Sequence, residues 1–163
     1  MMKGNLILQW VILLSIFIIA LTLEIMPWPT NLQSFRPAWL IMVLTYWAMA
    51  IPNKISIGSA FILGVLWDLI LGSNLGVHAL ILSVFTYLIS ANHLILRNLS
   101  LWQQSLLMIL FVIVIRFGIF FIELFLHTAV FNWKEIFGAI FTGLLWPWLF
   151  LLLRQIRRKL HIK

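Results

Sequence analysis

From Leu6 to Ile25 the chain runs twenty residues with no basic side chain and a single acidic one, Glu24, and runs nearly as apolar recur to its far end. As a helix such a run covers about 30 Å, the thickness of a bilayer's hydrocarbon core. Charges are correspondingly scarce: 163 residues hold eleven Lys or Arg and four Asp or Glu, or 9% charged against 64% hydrophobic. Mean hydropathy is +1.12. Soluble domains carry about 25% charged residues. The composition therefore excludes a soluble domain and predicts one integral-membrane domain filling residues 1–163.

Prolines and glycines divide the chain into six expected spans, at about 6–25, 38–51, 55–71, 77–92, 101–126 and 136–153. Met26-Pro27-Trp28-Pro29 closes the first, because a proline cannot continue a helix. The second lies between Pro37 and Pro52. Its fourteen residues reach about 21 Å, short of a full core, so a crossing of thinned bilayer and a re-entrant half-hairpin are both open. Gly72-Ser73-Asn74-Leu75-Gly76 breaks the third, and His93 to Ser100 reads as a polar-punctuated connection before the fifth. Pro147, between Trp146 and Trp148, is expected to kink the sixth. A basic tail follows, containing Arg154, Arg157, Arg158 and Lys159.

Six spans put both termini on one side. Lys3, Lys54, Arg97, Arg154, Arg157, Arg158, Lys159 and Lys163 then share that side, and only Arg36 and Lys134 face the other. Cytoplasmic loops collect Lys and Arg, so both termini are expected in the cytoplasm. The same reasoning assigns the net charge of +7 to topology and anionic lipid rather than to nucleic acid.

Every fourth residue of one stretch is small or polar: Ser56, Ala60, Gly64, Asp68, Gly72 and Gly76. On a helix this row suits a neighbour that crosses closely where side chains are missing. Asp68, the sole aspartate, is a charge among apolar residues, and such a group marks a functional site by default. Asp68 lies fourteen residues beyond Lys54, and Arg116 fourteen beyond Trp102. Both spans run outward, so the pair is expected at similar depth as an ion pair or a shared polar pocket. Glu24 and Glu123 sit near the outer ends of their spans, where a carboxylate reaches interfacial water. Gly64, Asp68, Gly72, Gly76, Arg116 and Glu123 form the candidate partner-binding or pocket set, with Pro37 and Pro147 as structural positions.

Catalytic patterns are not apparent. The four histidines are scattered without the His-Glu-x-x-His spacing of a zinc protease, and the glycine-rich stretch lacks the Lys-Ser/Thr of a phosphate loop. Cysteine is absent, which removes thiol chemistry. No enzyme activity, cofactor or metal site is expected.

Several stretches resemble the bacterial rod shape-determining protein MreD family. They are Met26-Pro27-Trp28-Pro29, Phe35-Arg36-Pro37, Gly64-x-x-x-Asp68-Leu69-x-x-Gly72-Ser73-x-Leu75-Gly76, Arg97-Asn98-Leu99 before Leu101-Trp102-Gln103-Gln104, and Leu145-Trp146-Pro147-Trp148. Arg116 lies outside them. The resemblance implies an inner-membrane component of the lateral cell-wall elongation machinery that binds MreC, within a larger complex with MreB, RodA and penicillin-binding protein 2. It also implies a bundle like the six-helix substrate-binding subunit of energy-coupling-factor transporters. Two functions follow as expectations: a non-enzymatic scaffold maintaining rod shape and regulating peptidoglycan synthesis, or an intramembrane binder of a small molecule or lipid precursor. Self-association through a Trp- or Phe-rich face is compatible with either.

Overall fold

The computed structural model describes residues 6–26, 29, 38–51, 55, 57–71, 76–126 and 135–160. Ser56, Pro37, Gly72 and the expected turns at 52–54 and 127–134 lie outside them. Seven helices are present among the described residues: α1 (Leu6–Ile25), α2 (Trp39–Ala50), α3 (Ile57–Leu71), α4 (Val77–Ala91), α5 (His93–Asn98), α6 (Leu101–Phe125) and α7 (Glu135–Leu160).

α2 is the centre of the fold. Its ten residues from Leu40 to Met49 are all buried, so it is enclosed on every side. A helix apolar all round belongs in a protein interior or in lipid, and here protein surrounds it. Its twelve residues, about 18 Å long, are therefore packed as a core rather than spread against lipid. α1, α4, α5 and α7 pack on it, α3 packs on α4 and α1, and α6 packs on α7 and α4.

Each surrounding helix turns one stripe inward. On α7 the stripe is Ala139, Thr142, Trp146, Leu149 and Leu153, and on α6 it is Gln104, Ser105, Met108, Val112 and Ile115. Steps of three and four keep such residues on one face. The opposite faces are also apolar, with Ile7, Leu14, Phe61, Leu80, Trp102, Phe125 and Leu144 among many exposed large side chains. That outer surface fits lipid. By length and composition, three helices suffice to cross a membrane, at Ile7–Ile25, Leu101–Phe125 and Ile136–Lys159, while Trp39–Ala50, Ile57–Ile70 and Val77–Ala91 are shorter apolar helices.

Two expectations are corrected. The connection at 93–100 contains α5, whose C-cap Leu99 is extended, followed by Ser100 as the N-cap of α6. Ser100 and Gln103 form a reciprocal capping box, Ser100 Oγ accepting from Gln103 N at 3.3 Å and Gln103 Oε1 from Ser100 N at 3.1 Å. The sixth span does not stop at Leu153: α7 continues to Leu160 and carries Arg154, Arg157, Arg158 and Lys159 within it. Cations in a last turn complement the helix dipole, so the helix outlasts its apolar run. Pro147 lies inside α7, at the position where the kink is expected.

Buried polar groups join the elements. Thr142 Oγ1 on α7 accepts from Ala38 N, at the head of α2, at 3.0 Å and donates to Gly138 O at 2.8 Å. Gln104 Nε2 donates to Leu96 O at 2.9 Å, and its Oε1 accepts from Trp146 Nε1 at 3.3 Å. One side chain thereby ties α5, α6 and α7 together.

Candidate functional site

α3 and α4 form an antiparallel hairpin in which Gly64 lies against Ala79 and Asp68 against the head of α4. At Gly64 the backbones meet: a Cβ there would overlap the main chain of Ala79 and come 2.8 Å from the carbonyl carbon of His78. Only glycine admits that approach, which is how small residues bring membrane helices together. Ala60, one step earlier in the row, is fully buried as well.

The crossing carries Asp68 to the first turn of α4. Its carboxylate is 0% exposed. Oδ2 accepts from Gly76 N at 2.9 Å, and Oδ1 accepts from His78 N at 3.3 Å. Oδ1 also lies 2.6 Å from His78 Nδ1, so with the proton on that nitrogen the imidazole donates to it. The first N–H groups of a helix lack intrahelical partners and carry the positive end of its dipole. Asp68 is therefore an N-terminal cap supplied from the preceding helix. Gly76, the N-cap residue, has φ of +99° in the left-handed region, which frees its N–H to meet Asp68 and disfavours a side chain. Trp67 stacks obliquely on the His78 ring, centroids 4.2 Å apart, and closes the site.

Gly64, Asp68 and Gly76 come together, and Gly72 is outside the described residues. The small-residue row is not one helix face: α3 ends at Leu71, and Gly76 belongs to the head of α4. Arg116 and Glu123 are both half-buried on α6, which packs on α7 and α4. The described hydrogen bonds of Asp68 run to Gly76 and His78 at the head of α4. Glu24, expected to reach interfacial water, is 5% exposed. Sequence reasoning missed His78 because it searched for helical spacings. The available signal was hairpin arithmetic: Asp68 and His78 stand five residues either side of Ser73, inside the glycine-bounded turn.

A closed carboxylate with its acceptor sites engaged by backbone N–H groups and an imidazole is suited to holding two helices in register. Two cavities are described, and neither is lined by Asp68, Arg116 or Glu123. Among the described residues no three His, Asp or Glu side chains are grouped to hold a metal ion.

The family model described as "rod shape-determining protein MreD" matches residues 5–156. The rod shape-determining protein MreD of Haemophilus influenzae is 60% identical over 161 residues, which cover 99% of each chain. No solved structure matches. With both the family model and this relative spanning almost its whole length, the chain belongs to the rod shape-determining protein MreD family.

Proposed function

We propose that the protein is a non-enzymatic scaffold of the bacterial inner membrane that binds MreC directly and helps keep rod-shaped cells rod-shaped. Family membership over residues 5–156 is the observation that carries this reading. The family is a shape-determining one rather than an enzyme family, which supports a role without catalysis. MreB, RodA and penicillin-binding protein 2 are the further partners of the proposed complex.

In this reading all helices except α5 cross the bilayer, with both termini in the cytoplasm, in a bundle like the substrate-binding subunit of energy-coupling-factor transporters. Helix directions support six crossings. Ala38 meets Thr142 and Tyr46 meets Phe150, so α2 and α7 run parallel. Gln104 meets Trp146 and Gly143 meets Ile109, so α6 and α7 run antiparallel, as do α3 and α4. Alternating crossings, with α5 lying outside them, give these same directions. Gly64, Asp68 and Gly76 set the hairpin that the partner meets, and Gly72, with Arg116 and Glu123 on α6, completes the proposed contact set. The rival reading is a binder using Asp68, Arg116 and Glu123 as polar contacts.

The test is affinity capture of MreC from membranes of the native host, with cell shape scored in the same strains. The tagged wild-type protein is expected to retain MreC, and Asp68→Leu at matched expression to lose it while cells round up. A wild-type protein that captures no MreC, or a deletion strain that stays rod-shaped, would overturn the proposal.

A further inference from the structure

At the end of the bundle remote from Asp68, three guanidinium groups and one phenol surround a cavity of about 250 Å³: Arg97 at the end of α5, Arg154 and Arg157 on α7, and Tyr46 on α2, with Met49 and Phe150 on its apolar side. The fold brings them together for identifiable reasons. Antiparallel α6 and α7, tied by Gln104 and Trp146, set the end of α5 beside the last turns of α7. Arg154 and Arg157 are three residues apart and share a helix face. Parallel α2 and α7 bring Tyr46 edge-on to Phe150, centroids 5.2 Å apart.

Tyr46 is 2% exposed, and its buried hydroxyl has no hydrogen-bond partner among the described residues. Leaving a buried polar group unsatisfied costs about 1–3 kcal/mol, so this position calls for a partner beyond the described residues. The chain's own acids do not line the cavity. Asp68 is bound at the head of α4, Glu24 and Glu123 lie near the C-terminal ends of α1 and α6, and Glu135 begins α7, about 28 Å along the helix from Arg154. Arginine forks match the oxygens of a phosphate group, and a phenol can donate one bond more. The volume exceeds the roughly 150 Å³ that accommodates benzene in an engineered protein cavity.

We propose that this cavity receives the phosphate of an anionic membrane lipid, with Arg97, Arg154 and Arg157 on its oxygens and the Tyr46 hydroxyl as an added donor. A soluble phosphate shares that chemistry. The membrane-spanning reading and the apolar side of the cavity, formed by Met49, Ala50 and Phe150, favour the lipid.

The experiment titrates the full chain, purified in a neutral detergent, with short-chain phosphatidylglycerol, phosphatidylcholine or inorganic phosphate, and follows binding by native mass spectrometry. Saturable uptake of one phosphatidylglycerol is expected, at least tenfold weaker in R154Q/R157Q and at least threefold weaker in Tyr46→Phe, which keeps the ring packing. R158Q/K159Q removes the same charge outside the cavity and should stay within twofold of the wild type. Equal losses in the two double variants would reduce the site to diffuse basic charge and overturn the proposal. Equal uptake of phosphatidylcholine, or displacement by millimolar inorganic phosphate or an acidic peptide, would overturn the choice of ligand.

Discussion

The two ends of the bundle treat their polar groups in opposite ways. At one, Asp68 sits fully buried with described bonds to Gly76 N, His78 N and the His78 ring, all within one hairpin. At the other, Tyr46 keeps a buried hydroxyl without a described partner beside three arginines and a cavity. A polar group whose demands the chain itself meets is an architectural device. One whose demands it leaves open points outward, to something the chain binds. By this criterion the residue most conspicuous in the sequence, Asp68, is the internal one, and the basic end, which the sequence assigns to topology and anionic lipid, carries the proposed lipid site.

The contrast can be broken most forcefully at Gly64. Gly64→Leu must push α4 off α3, because a Cβ alone already overlaps Ala79 backbone, and should destabilise the protein by about 3 kcal/mol or more. Thermal unfolding in detergent, read with monodispersity, checks this; an unchanged melting point would mean the helices do not cross there. Asp68→Leu leaves the Gly76 and His78 donors buried without their acceptor and should cost about 3 kcal/mol, with Asp68→Asn near half of that. Gly76→Ala meets no atom within 4 Å but must hold φ at +99°, a strain of about 1 kcal/mol. The smallest change is expected at the basic end and in the opposite direction. Tyr46→Phe removes a hydroxyl that has no described partner, so stability should hold or rise by up to about 1 kcal/mol. A melting point that falls in Tyr46→Phe as far as in Asp68→Asn would erase the distinction between the two ends.

Much of the helical architecture was legible. The bounds of α1 agree with the expected span, those of α4 and α6 come within a residue, and those of α3 within two. Prolines and glycines punctuate the chain where α1, α2 and α3 stop. The inward stripes were not legible, since in lipid both faces of a helix are apolar and burial leaves little periodic trace. α5 escaped notice because six residues are too few to show a period, and the tail of α7 because hydropathy ends at Arg154 while backbone hydrogen bonding does not. At the site, the small-residue spacing around Gly64 foretold a close helix neighbour, and that neighbour is α4. The partner of Asp68 went unseen since a contact across a hairpin follows the turn's centre, not the helical repeat. Gln104 and Trp146, forty-two residues apart, leave no local mark at all.

The claim that Asp68 serves the hairpin rests most directly on its coupling to His78, which a double-mutant cycle measures. Asp68→Asn, His78→Leu and the double variant would be unfolded reversibly in mixed micelles and their stabilities compared. A coupling of about 1–2 kcal/mol is predicted, with the double variant little worse than Asp68→Asn alone. Strictly additive losses would contradict the account, because they would mean that the carboxylate and the imidazole stabilise the protein independently of one another.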